Sequence, residues 1–131
     1  MLQLSRSVLR ELDARLTEHH RLSVNEFDVL ITLDNAPGRR LRMSDLADAV
    51  MLSSGGLTRL VGRLEDRELV RREPDEDDAR GFNAVLTRAG ARRLAQARAT
   101  HDAVIEELVG ARLTATHLAD LSRSLERLAP G

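Results

Sequence analysis

Residues 42–87 read RMSDLADAVMLSSGGLTRLVGRLEDRELVRREPDEDDARGFNAVLT, and the fold turns on them. Ser44 can cap a brief helix, SDLADAV, whose inward residues are expected to be Leu46, Ala47 and Val50. MLSSGG then interrupts. Ser53 or Ser54 can cap a longer helix with Leu57, Leu60, Val61 and Leu64 on its inner face, leaving Thr58, Arg59, Arg63 and Arg67 on others. Helices of about two and four turns, a few residues apart, make a helix-turn-helix candidate. LVRRE extends into Pro74, the acid run DEDD follows, and FNAVL alternates apolar and polar residues like a half-buried strand. The expectation is a β-hairpin with an acidic loop. A plain helical hairpin with solvated arginines fits the same periodicity.

Outward from this unit the chain is helical. Val8, Leu9, Leu12 and Leu16 recur at three and four in a first helix that fades over Thr17–Arg21. Ser23 with Glu26 is a capping-box pattern. It opens a second helix with Val24, Phe27, Leu30 and Ile31 on one face and Pro37-Gly38 as its stop. RRLR reads as a short connection. Thr87 can cap a long helix carrying Leu94, Ala97, His101, Val104, Ile105 and Leu108 to about Leu113. Thr114 starts a last one with Leu118, Leu121, Leu125 and Leu128. The class is therefore mainly α with a small β-hairpin. With only two aromatic residues, Phe27 and Phe82, the leucine-rich terminal helices are expected to find apolar cover in a second subunit.

Composition sets limits. At 131 residues the length suits one domain, and the absence of cysteine removes disulfides, thiolate zinc sites, cysteine nucleophiles and thiol redox sensing. The opening MLQLSRSVLRELDARL mixes charges through every turn, unlike a signal peptide or a membrane span, so a cytoplasmic protein is expected. All 20 basic residues are arginine and the net charge is -1, yet residues 38–93 hold 12 arginines and 10 acids, net +2. The middle is mildly basic.

The stretch from Leu46 to Gly90 resembles the core of the MarR family of bacterial transcriptional regulators. Its most specific element is the wing pattern, an aspartate, an arginine two residues on, then Leu-Thr and a glycine, matched by Asp78, Arg80, Leu86-Thr87 and Gly90. The resemblance implies one domain, a winged helix-turn-helix lobe over residues 22–90 and helical dimerisation regions over 1–21 and 91–131. It implies a homodimeric regulator that binds an inverted-repeat operator in double-stranded DNA, most often a repressor released by a small-molecule effector of the aromatic-acid kind.

The expected DNA-binding residues follow. Ser53, Ser54, Gly55 and Gly56 at the recognition-helix N-terminus can approach phosphates, and Thr58 and Arg59 can reach base edges, with Arg63 further along the helix. By family position Arg80 sits at the wing tip and enters the minor groove, Asp78 orients it, and Asp75, Glu76 and Asp77 face solvent. Arg71 and Arg72, like Arg39, Arg40 and Arg42, flank the wing as candidate phosphate contacts. Ala79 stands where the family often has a second arginine, so one contact is expected to be missing. The family's effectors lodge where dimerisation helices meet the DNA-binding lobe, which points to His20, Phe27 and His101.

Other chemistries fit poorly. Counted from Asp75 as a calcium loop, the sixth residue is Arg80 and the twelfth Leu86, where glycine and glutamate are required. His19 and His20 diverge on a helix, and His101 and His117 stand singly, so no metal site is expected. No nucleophile–base pair or phosphate loop supports an enzyme, and no cofactor is implied. The competing reading is a helical ligand-binding or protein-interaction dimer that has lost DNA binding.

Overall fold

The structure, a computed structural model, describes residues 2–110, with side chains from 6 to 108. Its elements are α1 (Leu2–His20), α2 (Val24–Asn35), a 3-10 turn (Pro37–Arg39), β1 (Arg40–Arg42), α3 (Met43–Val50), α4 (Ser54–Asp66), β2 (Val70–Pro74), β3 (Phe82–Leu86) and α5 (Arg88–Ile105), which continues as a π-helical turn over Glu106–Gly110. The expected last helix from Thr114, and His117 within it, lie outside the described residues.

Three of the four expected caps form. Ser23 Oγ accepts from the Glu26 N–H at 3.1 Å while Glu26 Oε1 accepts from the Ser23 N–H at 2.9 Å, closing the capping box on α2. Ser53 caps α4 through the Gly56 N–H, and Thr87 caps α5 through the Gly90 N–H. Ser44 does not cap: α3 begins at Met43, with Arg42 at the N-cap position and no side-chain bond. The reason is β1. RRLR is not a mere connection but an edge strand, antiparallel to β3 with Leu41 opposite Ala84 and Arg42 opposite Asn83, so the chain is extended up to Arg42 and turns helical at once. β2 pairs with the other side of β3, giving the order β1-β3-β2.

The core is continuous from the long helices into this sheet. Leu12 and Leu16 of α1, Phe27, Leu30 and Leu33 of α2, Leu46 of α3, Leu57, Val61 and Leu64 of α4, Leu86 of β3 and Leu94 of α5 pack in one cluster. Expected faces are buried as read on α4, whereas on α1 Leu9 remains 49% exposed. Among the described residues no helix is long and apolar enough to cross a membrane.

Candidate nucleic-acid interface

α3 and α4 are joined by a turn that reverses direction at Met51, whose φ of 58° places it in the left-handed region and lets its N–H reach back to Ala47 and Asp48 carbonyls. Leu52 N–H bonds the Ala47 carbonyl at 3.0 Å. The chain then enters α4 with Ser53, Ser54 and Gly55 exposed and Gly56 half-buried. Exposed N–H groups and the positive end of the helix dipole thus face solvent together. A Cβ on Gly56 would sit 3.1 Å from Ser53 Oγ, so the cap favours glycine there, and one on Gly55 would lie 3.8 Å from Arg59 Nη1. Thr58 Oγ1 donates to the Ser54 carbonyl at 2.8 Å, which fixes its rotamer and leaves oxygen lone pairs outward.

The arginines around α4 and the wing divide into two groups. Arg71 pairs with Glu73 (2.9 Å), Arg72 with Glu65 (2.7 Å), Arg40 with Glu73 (3.3 Å) and Arg39 with Asp34 (3.2 Å). Arg59, Arg63 and Arg80 are exposed and make no ion pair among the described residues. The first group shapes the scaffold; the second is the free positive charge of α4 and the wing.

The acid run is organised by a residue far away in sequence. Arg42 Nε lies 2.9 Å from Asp75 Oδ2 and its Nη2 donates to Asp78 Oδ2 at 3.1 Å, so one guanidinium on β1 ties both ends of the acid run. Asp75 is therefore not solvated as expected: its side chain is only 10% exposed, and the Arg42 contact is an ion pair whose angle falls short of a hydrogen bond. Glu76 and Asp77 are exposed as expected. Asp78 meets Arg80 through the backbone: its Oδ1 accepts the Arg80 N–H at 3.0 Å, and the Arg80 guanidinium makes no ion pair among the described residues. Gly81 closes the tip, with its N–H on the Asp78 carbonyl and its carbonyl accepting from Asp75 N–H, both at 2.9 Å. A Cβ there would meet Arg42, Asp75 and Asp78 at 3.4 to 3.5 Å.

Between wing and helices lies a cleft of about 320 Å³, bordered by Met43 and Ser44 of α3, Thr58 of α4, and Arg42, Arg72, Asp78, Arg80, Gly81 and Phe82 of the sheet and wing. Sequence reading missed Arg42 as the clamp and Phe82 as a cleft residue. An Arg-Leu-Arg alternation ahead of a helix was the available signal for the first.

On the far side, His20 Nε2 lies 2.6 Å from Thr100 Oγ1, and Arg93 donates to the His20 carbonyl at 2.8 Å. Phe27, 3% exposed, stacks on His101 with ring centroids 5.0 Å apart. The three expected effector residues thus fasten α5 to α1 and α2, and His20 alone of them borders the open hollow of about 470 Å³ with Arg15, His19 and Val104. Burial, then His19, then Arg93, lower the His20 pKa from 6.5. Because the unfolded chain then binds the proton more readily, the stabilisation from neutral His20 is present above 6.5 and is lost as pH falls through that value. His20→Gln is expected to flatten the decline in melting temperature between about pH 7 and 5. Parallel melting profiles for the two proteins would show that His20 carries none of it. Among the described residues no group of three or more acidic or histidine side chains is placed to hold a metal ion.

A family model described as MarR family matches residues 21–81. Over 83 residues the chain is 37% identical to the HTH-type transcriptional regulator PecS of Dickeya dadantii, a match covering 62% of this chain and 49% of PecS, so it spans about half of that relative. Identity to MhqR of Bacillus subtilis, also an HTH-type transcriptional regulator, is 31% over 76% of this chain and 70% of MhqR. Among solved structures, AbsC, a MarR family transcriptional regulator from Streptomyces coelicolor, superposes with a TM-score of 0.80 at 33% identity, covering 97% of this chain and 85% of AbsC. Sco3205, of the same family and organism and solved in complex with DNA, gives 0.81 at 28% identity, covering 99% and 84%. The wing pattern, the helix order around it and relatives matched over most of their length agree: the chain belongs to the MarR family.

Proposed function

We propose that the protein is a homodimeric, sequence-specific DNA-binding transcriptional regulator of the cytoplasm, a repressor released by a small molecule, and not an enzyme. The observation that carries this reading is the division of the arginines around α4 and the wing: Arg39, Arg40, Arg42, Arg71 and Arg72 are neutralised in place, while Arg59, Arg63 and Arg80 make no ion pair among the described residues and lie exposed on α4 and the wing. A duplex satisfies that arrangement, with α4 entering the major groove and the wing reaching the minor groove. Sco3205 and a MarR variant from E. coli, 26% identical with a TM-score of 0.76, were solved with DNA, the latter with operator DNA.

Pairing of two copies through residues 1–20 and 88–129 covers the exposed Leu9 face of α1. Two recognition helices then meet successive major grooves about 34 Å apart, so the operator is an inverted repeat. The effector site is assigned to the junction of α1, α2 and α5 near His20, Phe27 and His101, for an anionic aromatic acid that changes how the dimerisation helices hold the DNA-binding lobe.

The test is an electrophoretic shift on genomic fragments at rising salt. Each phosphate neutralised contributes roughly -0.9 to the slope of log affinity against log salt, so steep weakening is expected. Salt-independent binding, or none, would favour the competing reading, an interaction dimer that keeps the fold without DNA binding.

A further inference from the structure

Among the described residues three large apolar side chains stand in the open: Leu9 on α1, Met51 in the α3–α4 turn, and Phe82, 48% exposed, at the start of β3. Leu9 belongs to the dimerisation face proposed above. Phe82 has another setting. Positions 82, 84 and 86 alternate onto one face of β3, where Ala84 and Leu86 are buried, so Phe82 continues the inner apolar strip past the edge of the core. It lines the same cleft as Ser44, Thr58 and Arg80, with Pro74 across the ladder.

This company of groups suits a nucleic-acid strand seen from its side. The Arg80 guanidinium and the Ser44 hydroxyl can hold a phosphate. A phenyl ring cannot, since its face carries partial negative charge. What a DNA strand offers next to each phosphate is the carbon surface of a deoxyribose. Resting on the DNA-binding reading, we propose that Phe82 packs on a deoxyribose of the strand that enters the cleft between α4 and the wing, and supplies a part of the affinity that depends on neither sequence nor salt.

Apolar contact releases no condensed counterions, so its loss lowers affinity without altering the salt slope. Because every nucleotide carries the same sugar, the loss must also be shared by all sequences. The experiment measures wild type, Phe82→Ala and Phe82→Leu on a duplex selected by the wild type from random sequence, and on a scrambled duplex, at several salt concentrations, with thermal melts alongside. Phe82→Ala is expected to bind both duplexes about tenfold more weakly with an unchanged slope and melting temperature, and Phe82→Leu, which keeps most of the carbon, to lose at most about threefold. Equal binding by all three proteins overturns the assignment while leaving the DNA-binding reading intact. A loss confined to the selected duplex, or a flattened slope, overturns it in favour of a base or phosphate contact. A wild type that enriches no duplex from random sequence and does not bind the scrambled one overturns the DNA-binding reading and this assignment with it.

Discussion

Gly90→Ala is expected to destabilise the protein by roughly 3 kcal/mol or more, as overpacking does when neither partner can retreat. A Cβ at Gly90 would lie 2.0 Å from the Leu69 carbonyl oxygen, 3.0 Å from its carbon and 2.7 Å from Leu86 Cδ1. Neither side of this contact is loose. The Leu69 carbonyl accepts the Thr87 N–H at 3.2 Å, and the Glu68 carbonyl accepts Thr87 Oγ1 at 2.7 Å, while Glu68 itself is held at a φ of 59°. Thr87 Oγ1 in turn accepts from the Gly90 N–H at 2.9 Å. Thr87 and Gly90 are thus one clasp that lays the first turn of α5 on the chain leaving α4. To admit a methyl group, α5 must lift and carry Leu94 and Ala97 out of the core. Gly62→Ala is the control: nothing lies within 4 Å of its Cβ position in α4, so the better helix propensity of alanine should stabilise by about 0.5 to 1 kcal/mol. Urea unfolding of the three proteins checks this. A Gly90→Ala midpoint equal to wild type would show that the contact relaxes at no cost.

That clasp also explains what the sequence could and could not disclose. Leu-Thr followed by glycine was recognisable as a pattern, and the cap of Thr87 on Gly90 follows from local spacing. The reason glycine is required does not, because the obstructing carbonyl belongs to Leu69, in another part of the chain. The same division runs through the molecule. Faces of α2, α4 and α5 and the caps at Ser23, Ser53 and Thr87 depend on residues three or four apart and were legible. β1 was not, since three residues with a single leucine make no periodic signal and the strand exists only by pairing with residues 83–85. Asp75 differs for the same reason: at the head of an acid run it reads as solvated until Arg42 is seen beside it.

The largest effects on DNA binding are expected at Arg80, Arg42 and Arg59, each failing in its own way. Arg80→Ala should weaken binding by roughly 10- to 100-fold where A·T pairs lie outside the half-sites, because a narrow minor groove concentrates negative potential around an inserted guanidinium. The salt slope should flatten by about one unit for each wing engaged. Melting should not change, since the Arg80 side chain is exposed and makes no ion pair among the described residues, and only its backbone N–H is used by Asp78. Arg42→Ala should weaken binding too, but by another route. Without Arg42, Asp75 and Asp78 lose the cation that ties them, the loop from Asp75 to Gly81 is free to move, and Arg80 must be ordered at the moment of binding. Its salt slope should therefore stay near that of wild type, and adding Arg42→Ala to Arg80→Ala should cost little more, a non-additivity that marks one working unit. Arg59→Ala should instead cost about 1 to 3 kcal/mol on the operator and little on scrambled DNA, as loss of a base-edge contact requires. If Arg80→Ala melts early while its folded fraction binds normally, Arg80 is a brace for the acid loop. The geometry argues otherwise, because the guanidinium that braces this loop is that of Arg42.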